Sequence, residues 1–124
     1  MIIEPNYGLK CHCGYKILPK NVIAITLFGH IFFRMSEEEF MKYLETNTGV
    51  RTMHHEYLHV LQAESFKTRY LGFYIYYLYY YFKGIFGDGL NRDMAYYHIP
   101  FEQEAYEKEG FLDYRETHWR DYIG

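Results

Sequence analysis

Only two cysteines occur in the 124 residues, and they sit two apart as Cys11-His12-Cys13. A disulfide between such close positions violates the usual Cα separation, and no third cysteine is present to pair with either. A disulfide framework is therefore excluded, and the chain is expected either to lie in a reducing location, the cytoplasm, or simply to need no bridges. Two thiols flanking one His fall short of the four ligands of a structural zinc site. The triplet reads as ordinary small residues, with an accessory metal or redox role as the other reading. Excess positive charge is lacking too: 13 Lys+Arg against 16 Asp+Glu leave a formal charge of -3. That balance gives no electrostatic reason to expect a nucleic-acid partner. The start, Met1-Ile2-Ile3-Glu4-Pro5, has neither a basic region nor an apolar stretch and does not read as a secretory signal. The uncharged run Leu71 to Phe82 is well short of the ~20 residues that cross a bilayer. It also carries Tyr76, Tyr77, Tyr79, Tyr80 and Tyr81, which favour interfaces over hydrocarbon. No transmembrane segment is expected. A buried helix is the first reading, and an interfacial or homo-oligomer contact through Tyr70 to Phe86 is the second.

Aromatic residues are what the chain has in excess. Sixteen Tyr and ten Phe help bring the aromatic share to 22%. Each phenol buries area like an apolar residue but keeps a hydroxyl that needs a partner, so a core built from them is partly polar. With 49% hydrophobic and 23% charged residues the chain is not globally disordered. Its length suits one small domain, residues 1–124.

Along the chain, residues 1–20 carry Pro5, Gly8, Gly14 and Pro19 and read as irregular, with a short strand expected near Tyr15 to Leu18. Val22 to Phe33 is the best strand candidate, and Gly29 marks a bend or a division into two strands. Ser36 and Glu39 form a capping-box pair ahead of a helix expected to stop near Asn47-Thr48-Gly49. A second helix is expected from Arg51 to about Phe66, and a third from Tyr70 to Lys83. Pro100 stands where a first helical residue belongs, with Gly110 as the stop. The tail, Leu112 to Ile123, fits either a short last helix or a strap.

His55-Glu56-Tyr57-Leu58-His59 is H-E-x-x-H inside the second helix. Residues four apart on a helix stack about 6 Å from one another, so both imidazoles can approach one Zn²⁺. Glu56, next to the first ligand, can lean toward the remaining coordination position and take a proton from water there. Composition alone produces such a match about 4% of the time, so its helical context matters. His54 is one position off the metal-facing direction and is expected either to support the ligands from behind or to be exposed, rather than to be a ligand.

A catalytic zinc needs a third protein ligand. No H-x-x-G-x-x-H continuation follows His59, which directs the search to His98, Glu102 and Glu104. Glu104 is the first choice and Glu102 the alternative, since two positions apart on a helix they point in different directions. The other carboxylate, or Glu107 one turn on, is placed to hydrogen-bond a ligand His. Donors to stabilise developing oxyanion charge are available in His98, Tyr96, Tyr97 and His30.

His55-Glu56-x-x-His59 with a Glu from a later helix resembles the gluzincin group of zinc metallopeptidases, in which the ligand Glu is often followed by Ala, as in Glu104-Ala105. Arg51 to Gln62 (RTMHHEYLHVLQ) with Pro100 to Tyr106 (PFEQEAY) is also similar to small bacterial proteins with a compact zincin-like core. The resemblance implies an α+β fold, a minimal, mostly helical zincin-like domain with a small sheet. A sheet edge, supplied by Val22 to Phe33, would lie over the active-site helix and align an extended peptide. The implied function is a zinc-dependent hydrolase, a metallopeptidase with Glu56 as general base acting on a peptide or protein. The alternative is a non-catalytic zinc-binding or protein-interaction domain of the same fold.

Overall fold

The structure, a computed structural model, describes residues 1–123. It is α+β: five α-helices and a small mixed sheet, in two compact units, Met1–Tyr57 and Leu58–Gly124.

The first unit holds the sheet. Its strands are β1 (Ile2–Ile3), β2 (Lys10–His12), β3 (Ala24–Leu27) and β4 (His30–Phe33), in the spatial order β1-β2-β4-β3. β1 and β2 are antiparallel, β2 and β4 parallel, β3 and β4 antiparallel. The segment Val22 to Phe33 is thus two strands joined by a two-residue turn. Phe28 and Gly29, at φ 50° and 83°, both occupy the left-handed region that such hairpin turns require. Register places Ala24, Thr26, Ile31, Phe33 and Cys11 on one face, and there Cys11, Ile31 and Phe33 are buried. On the other face His12 stacks on Phe32, 4.7 Å between ring centres, and meets His30 through a 2.9 Å ring-nitrogen contact. No strand forms at Tyr15 to Leu18. Those residues turn instead, with Leu18 N–H donating to the Tyr15 carbonyl, and the partner of β4 is the earlier β2.

α1 (Glu37–Tyr43) starts on the expected capping box: Glu39 N–H donates to Ser36 Oγ at 3.2 Å and Ser36 N–H to Glu39 Oε1 at 3.3 Å. It ends earlier than the sequence suggests. Gly49 is not a helix stop but part of the first turn of α2 (Asn47–Glu64). Glycine is required there because a Cβ would lie 1.9 Å from the Tyr43 carbonyl oxygen. Phe40 and Met53 join Phe33 in the core of this unit, with the Phe33 and Phe40 rings 4.6 Å apart.

The second unit holds α3 (Tyr70–Phe82), a π-helical turn (Lys83–Gly87), α4 (Arg92–Tyr97), α5 (Pro100–Lys108) and a 3₁₀ turn (Trp119–Tyr122). Its buried cluster is Ala63, Phe73, Ile99, Phe101 and Trp119, with tyrosines of α3 packed around it. The fully buried Phe101 ring lies 4.7 Å from Phe73 and 4.8 Å from Trp119. The Trp119 indole N–H reaches Ser65 Oγ at 3.0 Å, so even this core carries the polar partner its ring demands. α4 was not anticipated from the sequence. It starts on Asn91, whose side chain accepts from Met94 N–H. α5 begins at Pro100 as expected, behind an extended Ile99. No helix of the described residues is long and apolar enough to cross a membrane.

Candidate metal centre

α2 runs unbroken from Asn47 to Glu64, so His55 and His59 are held one turn apart on one helix. His55 is buried and His59 nearly so. The third member comes from α5: Glu102 is buried, and its Oε1 lies 3.1 Å from His59 Nε2. Ligand-type atoms of His55, His59 and Glu102 all lie within 4.8 Å of one another, the one such group of His, Cys, Asp and Glu among the described residues.

Hydrogen bonding around His59 decides its chemistry. Gln62, one turn on along α2, uses its amide nitrogen to donate to the Phe101 carbonyl and to Glu104 Oε1, each at 2.9 Å. Both partners are acceptors, so the amide orientation is determined and Gln62 Oε1 faces His59 Nδ1 at 2.8 Å. Nδ1 must then carry the proton. In a neutral ring Nε2 is left with its lone pair toward Glu102 Oε1. Two electron-rich atoms at 3.1 Å repel unless a cation, a proton or a metal ion, lies between or beside them. Two imidazoles and one carboxylate are also a donor set of catalytic zinc sites, and a ligand His held through its other nitrogen is the usual arrangement there. The residues present therefore fit a divalent metal. Glu102 is oriented in turn by Tyr77 of α3, whose hydroxyl donates to Oε2 at 2.6 Å.

Glu104, the first-choice third ligand, is committed elsewhere. Its carboxylate is fully buried and accepts from Gln62 Nε2, from Thr117 Oγ1 at 2.7 Å, from Tyr114 OH at 2.8 Å and from the His118 backbone N–H. Rather than joining His55 and His59, it ties the chain's tail to α5 and holds Gln62 in place. The alternative, Glu102, occupies the position beside His59. The physical reason is the rotation of α5 about its axis. With Phe101 and Ala105 turned into the core, Glu102 falls toward His59 and Tyr77, and Glu104 toward the tail.

Glu56 sits beside His55 on α2, and its Oε2 accepts from Thr26 Oγ1 of β3 at 2.9 Å. β3 is an edge strand of the sheet. The other sequence candidates are not drawn into the group. His98 is exposed, with Nδ1 on the Met94 carbonyl at 2.8 Å. Exposed Tyr97 packs edge-on against Tyr106, and exposed Glu107 hydrogen-bonds Tyr122. His30 pairs with His12 on the sheet. Tyr96 shares a 3.3 Å hydroxyl contact with Tyr106, and burial, reinforced by the charge of Glu102, pushes its phenol far up, so it stays protonated. His54 is fully buried, not exposed, and stands outside the group, its ring stacked 5.8 Å from that of Tyr7. Cys11 and Cys13 are free thiols outside the group. Burial, then the charge of Glu4, pushes the Cys11 thiol up to about 12.

Three contributors were missed in the sequence. Gln62 shares the helical face of His59 at i+3, a signal that could have found it. Tyr77 is one tyrosine in a run of them, and Thr26 carries no local mark of its role.

Comparison with family models, with curated proteins and with solved structures returns no match to this chain.

Proposed function

We propose that the chain is a metal-dependent hydrolase, with zinc as the metal and peptides as the substrate class. The carrying observation is the pairing of a protonated His59 Nδ1, held by Gln62, with an Nε2 aimed at Glu102, in a group completed by His55. In this reading His55, His59 and Glu102 hold the metal. A divalent ion in such a set supplies Lewis acidity toward a carbonyl oxygen and makes water a stronger acid.

The remaining work falls to side chains. Glu56 is adjacent in sequence to the ligand His55 and accepts a proton from water, then returns it to the leaving amine. Thr26 occupies Oε2 of Glu56, which orients the carboxylate and leaves Oε1 for proton transfer. Tyr77 holds Oε2 of Glu102 and so directs Oε1 toward His59. The edge strand β3, which carries Thr26, offers backbone groups on which an extended peptide can add as a strand.

The test has two stages. Metal analysis of protein purified without added zinc, followed by zinc titration of the stripped protein, is expected to show one ion per chain. Binding must be lost in His59→Ala. Digestion of a mixed peptide library by the zinc form, read by mass spectrometry, then decides catalysis. Stoichiometric zinc with no cleavage would assign the chain to the non-catalytic class.

A further inference from the structure

Wholly inside the second unit lies a cavity of about 220 Å³, bordered by the π-helical turn, the end of α4, the start of α5 and the tail. Its volume is about seven times the ~30 Å³ share of one water molecule, the scale of a single amino acid. The turn sets two of its polar groups. Asp88 N–H donates to the Lys83 carbonyl at 3.0 Å, a bond that spans five residues where an α-helix spans four. The extra residue moves Asp88 off the face on which a side chain four positions on would stack over Lys83. Both line the cavity, and neither forms an ion pair among the described residues. Two opposite charges thus border one cavity without neutralising each other. Such π-helical turns are rare and frequently mark functional sites.

Hydrogen bonding fixes what the other polar lining has left to give. His98 Nδ1 donates to the Met94 carbonyl, so a neutral ring presents Nε2 as an acceptor. Gln103 Nε2 donates to the His98 carbonyl at 3.1 Å, which leaves Oε1 to accept. The Tyr122 hydroxyl is committed to Glu107. Burial raises the Tyr80 phenol, so it stays a donor. The lining therefore offers three acceptors, Asp88, Gln103 Oε1 and His98 Nε2, beside one cation, Lys83, and the Tyr80 hydroxyl. An ammonium group carries three N–H donors and suits the three acceptors, while a carboxylate suits Lys83 and Tyr80. A purely anionic ligand would meet Asp88 as a like charge, and a purely cationic one would meet Lys83. A zwitterion satisfies both. Pro100, Ile123 and the Tyr122 ring add an apolar wall for a side chain.

We propose that this cavity binds a free α-amino acid with an apolar side chain, its ammonium on Asp88, Gln103 and His98 and its carboxylate on Lys83. The site shares no residue with the group of His55, His59 and Glu102 and requires no bound ion.

Residue-resolved NMR titration of the full chain tests it with three probes. L-Leucine is expected to bind in the millimolar range and to shift the amides of Lys83, Gly84, Asp88 and Gln103. N-Acetyl-L-leucine lacks the ammonium and 3-methylbutylamine lacks the carboxylate, and each should bind about tenfold more weakly. Lys83→Ala and Asp88→Asn, both at exposed positions, should each weaken L-leucine binding about tenfold, whereas Lys67→Ala, exposed elsewhere, should not. The same spectra report that each variant is folded. Absence of L-leucine binding overturns the proposal. Equal binding of the three probes, or equal binding by Lys83→Ala and the wild type, does so too. Shifts centred on His55 and His59 would assign the amino acid to the candidate metal centre and overturn it as well, without deciding whether that centre holds an ion.

Discussion

Gln62 Oε1 stands 2.8 Å from His59 Nδ1, and the amide nitrogen of the same Gln62 stands 2.9 Å from Glu104 Oε1. One side chain therefore links the imidazole of the candidate centre to the carboxylate that anchors the tail. Two acidic residues two positions apart on α5 are given different work: Glu102 faces His59, and Glu104 stabilises what surrounds it. Separating those roles is the most direct experimental use of the structure.

Glu102→Ala should weaken zinc binding strongly and leave the fold intact, because it removes a ligand but no tail contact. Glu104→Ala should instead lower stability by about 1–3 kcal/mol or more, because the donors of Gln62, Thr117, Tyr114 and His118 lose their acceptor. Thermal melts and zinc titrations of both variants, side by side, check this. Equal zinc affinities for Glu102→Ala and the wild type would remove Glu102 from the centre.

Gln62→Leu removes the acceptor at His59 Nδ1, and Tyr77→Phe removes the donor at Glu102 Oε2. Neither touches a metal directly in the proposed reading. Loss of such an orienting partner costs about 10–100-fold in metal affinity. Competition titration with a chromogenic chelator measures it. Gln62→Glu should not rescue it, because its second oxygen would face the Phe101 carbonyl and the buried Glu104 carboxylate, both acceptors.

Glu56→Gln keeps the shape of the side chain but removes its ability to take a proton. Zinc content should be unchanged, while peptide cleavage falls by about 10²–10⁴-fold or more. Metal analysis and turnover are measured on the same preparation. Loss of zinc in this variant would mean that Glu56 is a ligand and not the base.

The Cys11 thiol is raised from 9.0 to about 12, chiefly by burial. A raised folded-state value contributes stability that is fully present below pH 9 and is lost as pH climbs toward 12, since the unfolded chain ionises first. Denaturant midpoints are expected to decline over that window, and less steeply in Cys11→Ala. At pH 8 a thiol reagent should modify Cys13, the less buried of the two, before Cys11.

Gly49→Ala places a methyl group 1.9 Å from the Tyr43 carbonyl oxygen. Backbone must shift at the α1–α2 junction, at a cost of about 1–3 kcal/mol. Urea unfolding of the purified variant reports the difference. An unchanged midpoint would show that the junction yields more easily than this contact indicates.

Local chemistry was readable without coordinates. The Ser36–Glu39 cap, the helix start at Pro100, the two strands around Gly29 and the helical H-E-x-x-H each depend on residues within about one turn of one another, and each is present where expected. Gly49 misled because glycine serves both at helix ends and where backbones approach closely, and only the neighbour across the junction tells which applies. Periodicity likewise placed Glu102 and Glu104 on different sides of α5 but could not say which side meets α2. That choice was made by the burial of Phe101, Ala105 and Trp119, which sets the rotation of the helix. The H-E-x-x-H spacing and the presence of two later carboxylates thus belong to the sequence. Their pairing, and the roles of Gln62, Tyr77 and Thr26, arise only when packing brings distant segments together, because a side chain's partners across space leave no periodic trace along the chain.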